Sequence, residues 1–240
     1  MWALTKLSEG DQHTGNVFRR SSWRLWPKEE LLPSCDYIVM SWYIPPVGQT
    51  NFDLPTCTVW GCFKAKAYKD NGTEYTQDHA ILLGHHHQAT TAAEVLKAAK
   101  EIYSKVRGTA HIRIILEDTA SNAFFRQEMR RSRVPASYWS PKSSTGEKRF
   151  EEWALQASTV LDEGRVFYPD KDWARDIVNE VAHFPHGTRA DFANSISLLL
   201  LFLRARKAIE LPLDELEDIE EERLEKDRAR FRRRKRFYGR

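Results

Sequence analysis

The feature that most constrains this chain is a change of hydrophobic period near residue 89. Before it come short apolar runs rich in β-branched and aromatic residues: Tyr37 to Trp42, Thr56 to Phe63, and Tyr75 with His79 to Leu83. Such runs mark buried strands. Pro45, Pro46, Val47 and Gly48 force a loop after the first run, and Asp70-Asn71-Gly72 is a hairpin signal after the second. From Ala89 to Arg107 the spacing becomes helical, with apolar Ala93, Leu96, Ala99, Ile102 and Val106. Elements then alternate. His111 to Leu116 reads as a strand, Ala123 to Ser132 as a helix, and Pro135 to Trp139 as a strand. After a loop at Pro141 to Gly146 comes a helix from Arg149 to Glu163, closed by Gly164. Val166 to Tyr168 is a short strand, and Asp172 to Ala182 and Ala193 to Lys207 are helices. A meander of strands followed by alternating helices and strands predicts an α/β domain whose mixed sheet is covered on both faces.

The chain has 240 residues, 41% hydrophobic and 30% charged, which suits one globular domain with a charged extension. Residues 1–34 read as an irregular lead-in, 35–209 as the domain and 210–240 as a charged tail. A net charge of +3 conceals the tail's asymmetry: acidic residues dominate from Glu210 to Glu225, basic ones from Lys226 to Arg240. The three cysteines, Cys35, Cys57 and Cys62, have no zinc-type spacing and are odd in number, so they read as reduced thiols of a cytosolic protein. No signal peptide is apparent, and the run from Ile196 to Leu203 is too short to span a bilayer. No G-x-x-x-x-G-K-[ST] loop occurs, so no nucleotide cofactor is expected.

Several segments share an order and spacing with a known family. They include Gly15 to Phe18 followed by Trp23, Ile38 to Trp42, Asn51 to Asp53 followed by Thr58 to Gly61, and Ile115 to Ser121. Further on stand Gly146 to Arg149, then Glu163 to Val166 with Pro169 and Trp173, and finally Phe184 to Ser195. The last resembles "FP-x-G-x-H-D-D-x-x-D-A/S", and the set as a whole resembles the C-terminal nuclease domain of tailed-phage terminase large subunits. The resemblance implies a ribonuclease H-like mixed sheet flanked by helices; the strand and helix order fits that fold without choosing it over other α/β folds. It also implies a DNA endonuclease that hydrolyses phosphodiesters with Mg²⁺ or Mn²⁺. Two such ions lie roughly 3.5–4 Å apart and take carboxylate oxygens as ligands.

Carried over position by position, the resemblance puts Glu117, Asp118 and Asp191 in catalytic places. Glu117 and Asp191 are the metal-ligand candidates, with Glu117 preferred over Asp118. Asp53 is a substitute ligand or, on the other reading, a turn residue before Pro55. Four positions depart from the pattern. Tyr43 replaces the Asp that ends the first strand, Arg189 replaces His, and Ala190 and Asn194 replace Asp. A neutral phenol is a poor Mg²⁺ ligand, and Arg189 adds positive charge. His85, His86 and His87 read as a strand end rather than a metal tract, because consecutive strand residues point to opposite faces.

Lys148 and Arg149 stand where the family carries a basic motif, and Arg232, Arg233, Arg234 and Arg236 lie among aromatics in the tail. These are the DNA-binding candidates, since basic residues neutralise phosphates and aromatics stack on bases. The tail reads equally as a solvated helix with paired charge blocks, or as a segment docking on a packaging partner. The expected function is viral (phage or prophage) genome packaging in the host cell cytoplasm. The partners would be double-stranded DNA and a separate terminase ATPase or portal protein, with no membrane. Two alternatives stand beside it: a pseudonuclease that binds DNA or a packaging component without cutting, and a resolvase-like DNA-binding protein.

Overall fold

A computed structural model of the chain describes residues 16–45, 54–68, 72–88, 91–108, 111–141, 149–212 and 214. Its strands are β1 (Arg24–Trp26), β2 (Tyr37–Tyr43), β3 (Thr56–Tyr68), β4 (Glu74–His87), β5 (His111–Leu116), β6 (Ala136–Tyr138) and β7 (Val166–Pro169). Its α-helices are α1 (Ala92–Val106), α2 (Ala123–Arg131), α3 (Arg149–Asp162), α4 (Asp172–Val181) and α5 (Asp191–Ala205). The strands form one mixed sheet in the order β1-β7-β4-β3-β2-β5-β6. β2, β3 and β4 run antiparallel in a meander. β5 lies parallel to β2, β6 parallel to β5, and β7 parallel to both β4 and β1.

Hydrophobic residues on opposite sides of the sheet make two cores. On one side Val95, Leu96 and Ala99 of α1 and Phe125 and Met129 of α2 pack on Met40, Trp42 and Ile114. On the other, α3, α4 and α5 pack with Val39, Trp60 and Ile115. Because both faces are covered, β2 is buried along nearly its whole length and reads as one apolar run. α5 is buried from Asp191 to Leu203, with α3 packed on it from outside. Fully burying each of its leucines contributes about 1.5–3 kcal/mol. α1 begins at a capping box, in which the Thr91 hydroxyl accepts from the Glu94 amide and the Glu94 carboxylate accepts from the Thr91 amide.

The structure differs from the sequence reading in three places. Arg24–Trp26, inside the stretch read as irregular, is an edge strand on β7. Three residues are too few to show a period, and tertiary packing holds the strand: Trp26 meets Phe63 and Phe167 edge-on. β3 and β4 extend beyond their apolar runs as a polar hairpin braced by Lys64–Asp78 and Lys66–Glu74 ion pairs. Of the predicted turn only Gly72 is described; its φ of +80° suits glycine. α5 begins at Asp191, two residues earlier than its apolar run indicates.

Candidate functional site

The parallel pairing of β2 and β5 places Trp42 beside Leu116, so Tyr43 and Glu117 leave the sheet at the same edge. The antiparallel meander brings Tyr43 beside Thr56, and Thr56 beside His87. The start of α5 joins this edge from one face, where the Asp191 carboxylate accepts from the Leu54 amide at 3.1 Å and faces His87 Nε2 at 2.6 Å. Tyr43, Glu117 and Asp191 therefore lie along one edge of the sheet. Two strand ends and one helix start supply them.

Local packing decides what each can do. Glu117 is 7% exposed, and burial raises its pKa while the Arg149 guanidinium opposes the rise. Arg149 Nη2 stands 3.1 Å from Glu117 Oε1. The guanidinium also lies 4.6 Å over the Phe150 ring, and Phe150 in turn meets Tyr43 edge-on. Tyr43 is thus buried under the first turn of α3 rather than open to solvent. Asp191 is fully buried; burial opposes its ionisation, but hydrogen bonds from His87 and the Leu54 amide hold its carboxyl below the usual range. Glu180, on α4, feels both burial and the Asp191 charge, which push its carboxyl up to about 7.

The remaining predicted residues are spread around this edge. Asp118 points outward and pairs with Arg126. Arg189 is exposed and Ala190 is half-buried. Asn194 is buried within α5, with its side-chain oxygen unpartnered among the described residues. Asp53, Lys148, Arg232, Arg233, Arg234 and Arg236 lie outside the described residues. His85 and His87 turn toward α4 and α5, where they meet Trp173 and Phe192, while His86 turns the other way onto Trp42. This is the alternation expected of a strand end.

Three contacts at this edge were not legible in the sequence. His87 is the ring that holds Asp191, Glu180 sits beside them, and Arg149 is committed to Glu117. A fourth group anchors the whole edge: Ser41 and Ser195 exchange hydroxyl-to-carbonyl hydrogen bonds at 2.7 and 2.9 Å. The Ser195 hydroxyl also meets that of Thr58 at 2.7 Å. These buried bonds tie α5 to β2 and β3 and so fix where Asp191 emerges.

A two-metal centre needs carboxylate oxygens that converge with free lone pairs. Among the described residues, no three His, Cys, Asp or Glu side chains gather as metal ligands. Glu117 is ion-paired with a guanidinium, Asp191 is hydrogen-bonded to an imidazole and a backbone amide, and a phenol fills the first-strand position. The described donors do not fit a two-metal centre.

No family model matches the sequence, and no curated protein matches it. Solved structures do. The zinc-bound large terminase nuclease of thermophilic phage G20c superposes with a TM-score of 0.50 at 16% identity, covering 76% of this chain and 95% of that one. Its cobalt-bound form gives 0.50 at 14% identity over 77% and 96%. The magnesium-bound form gives 0.48 at 14% identity over 77% and 96%. The architecture is a ribonuclease H-like nuclease fold. More narrowly, it is the fold of phage large-terminase nuclease domains. No helix among the described residues is long and apolar enough to cross a membrane.

Proposed function

We propose that this chain is a viral DNA-packaging protein on the terminase nuclease fold whose carboxylate edge no longer assembles a two-metal centre. It engages duplex DNA or another packaging component without cutting DNA. The observation that carries this reading is the Glu117–Arg149 ion pair at 3.1 Å, braced by Phe150 and Tyr43. A guanidinium does there, by charge, what a divalent cation does in an active nuclease of this type: it neutralises the Glu117 carboxylate. It cannot ionise a water or bridge two oxygens of a reacting phosphodiester. Tyr43, Ala190 and Asn194 stand where the family pattern has three further carboxylates.

The fold is shared with nucleases crystallised with zinc, cobalt and magnesium, so the competing reading is a Mg²⁺- or Mn²⁺-dependent endonuclease. Glu117 and Asp191 at one edge would be its residual ligands, with Asp53 as a third. The folded unit would take in β1 and the core residues Phe18 and Trp23 as well as residues 35–209, with 210–240 as a tail. ATP-driven movement would fall to a separate ATPase chain, and a portal protein is the other packaging partner. Packaging of this kind would take place in the host cytoplasm.

Supercoiled plasmid incubated with the full chain and Mg²⁺ or Mn²⁺ tests the reading. The expected outcome is duplex binding that survives chelation of divalent ions, with no nicking. Nicking by the unmodified protein that Glu117→Ala abolishes would overturn it.

A further inference from the structure

The two layers covering the sheet carry opposite charge. α1 and α2, on one side, hold six basic residues against three acidic ones. α3, α4 and α5, on the other, hold three basic residues against seven acidic ones. Residues flanking the first pair add Arg107 and Arg133. Among the described residues Lys100, Lys105, Arg107, Arg130 and Arg133 have no carboxylate within ion-pair distance. All but the half-buried Lys100 are exposed. The topology concentrates them. α1 leads into the start of β5 and α2 into the start of β6, and these strands are parallel. The C-terminal ends of both helices therefore meet at the sheet edge remote from Glu117, with Lys105, Arg107, Arg130 and Arg133 together there.

Cations at helix C-termini complement the macrodipole. That accounts for Lys105 in the last turn of α1 and for Arg130 and Arg131 in that of α2, but not for an acidic layer on the opposite side. A polyanion approaching this domain is attracted by one face and repelled by the other, so its orientation is set before any contact forms.

We propose that duplex DNA is held on the outer face of α1 and α2, through phosphate contacts from Lys100, Lys105, Arg107, Arg130 and Arg133. The α3–α4 layer is turned away from it. This rests on the reading above that the chain engages DNA, and adds the surface that does so. It places DNA off the degenerate carboxylate edge, which explains how binding persists where Glu117 and Asp191 have their own partners.

The test uses the full chain, a fluorescently labelled duplex and a chelator, with affinity measured across a salt series. The variant is Lys100→Gln, Lys105→Gln and Arg130→Gln together, all on helices whose buried faces are untouched. Each lost phosphate contact flattens the slope of log affinity against log salt by about 0.9, so the triple variant should flatten it by about 2.7. Its thermal unfolding should stay cooperative, with no more than the small loss expected when two cations leave helix C-termini. As a second variant, Arg133→Asn keeps a residue tolerant of the φ of +54° at that position and should flatten the slope by about 0.9. An unchanged slope in both variants overturns the face while leaving DNA engagement standing. Failure of the unmodified protein to bind duplex overturns both. Polyglutamate bound where duplex is not overturns the proposal in favour of an acidic protein partner.

Discussion

The Arg149 guanidinium lies 3.1 Å from Glu117, at the sheet edge that also carries Tyr43 and Asp191. The carboxylate is buried and its partner is only partly exposed, so removing one partner costs more than it would in a surface ion pair. Arg149→Ala should destabilise the protein by roughly 1–3 kcal/mol at neutral pH. The sign with pH follows from Glu117, whose pKa is raised by burial and pulled back by Arg149. A carboxyl raised in the folded state contributes stability that is present at low pH and lost as pH rises through its folded pKa. Removing Arg149 enlarges that loss. Urea unfolding should therefore show the variant closest to the unmodified protein in acid, with the gap widening toward neutrality. A gap independent of pH would mean that Arg149 acts through packing on Phe150 alone.

Restoring the ligand set should restore metal affinity. Tyr43→Asp and Ala190→Asp add carboxylates, and Arg149→Ala releases Glu117. The triple variant should bind Mn²⁺ by calorimetry where the unmodified protein does not, and should gain plasmid nicking. Asp191 remains held by His87 and the Leu54 amide, so adding His87→Ala should strengthen Mn²⁺ binding further. If the triple variant is folded and still binds no Mn²⁺, the geometry of this edge is lost as well as its ligands.

Much of the fold was legible because its elements are apolar enough to declare a period. β2 and α5 are long buried runs and β5 ends in a buried one, and their order in the chain, once the parallel pairing of β2 with β5 is known, places Tyr43 and Glu117 together. The site was less legible because its decisive partners come from elsewhere. Arg149 sits in a motif that suggests DNA contact, and only the three-dimensional approach of α3 to β5 shows it spent on Glu117. His87 looked like the end of a histidine tract; nothing in the local sequence names Asp191, 104 residues away, as its partner. Ser195 falls within an apolar helix, where a serine carries no periodic signal, yet it joins α5 to two strands. Arg24–Trp26 was missed for the related reason that a short edge strand is made by its neighbours.

That serine gives a stability prediction. Ser195→Ala removes a hydroxyl that donates to the Ser41 carbonyl and meets Thr58. It leaves buried polar partners short of a hydrogen bond, which costs about 1–3 kcal/mol. Thermal unfolding should show the loss. Ser197→Ala, two residues on, should cost less, because its hydroxyl only back-bonds to the Ala193 carbonyl of its own helix. Equal losses in the two variants would deny Ser195 its role as the anchor between α5 and the sheet.

His79 supplies an acid limb. It is 4% exposed, stacked on Phe63 and packed edge-on against Phe167. Burial, then the charges of Arg165 and Arg24, lower its pKa from 6.5 to about 4. The unfolded chain binds a proton here that the folded chain refuses between those values. Stability from this group is therefore complete above the ordinary histidine range and is lost as pH falls from 6.5 toward about 4. The shift corresponds to roughly 3 kcal/mol. His79→Phe keeps the aromatic contacts and removes the titration. Its denaturant midpoint should fall less steeply across that window than the unmodified protein's, and parallel falls would assign the acid limb to other groups.

Gly164 closes α3 with a φ of +66°, a conformation open to glycine and costly for alanine. The space is also taken: a Cβ there would lie 2.3 Å from the Arg24 guanidinium, which packs across the glycine. Arg24 belongs to β1, and its guanidinium reaches over Phe167 of β7. Gly164→Ala should therefore destabilise by about 1 kcal/mol or more from the backbone alone, with a further loss as Arg24 is displaced. The two contributions separate in a double-mutant cycle with Arg24→Ala. If the guanidinium is a flexible arm that moves aside freely, Gly164→Ala costs the same with or without it. If it is fixed on Phe167, the double variant should be less destabilised than the sum of the single variants, and amide exchange at β1 should quicken in Gly164→Ala before it quickens in the central strands.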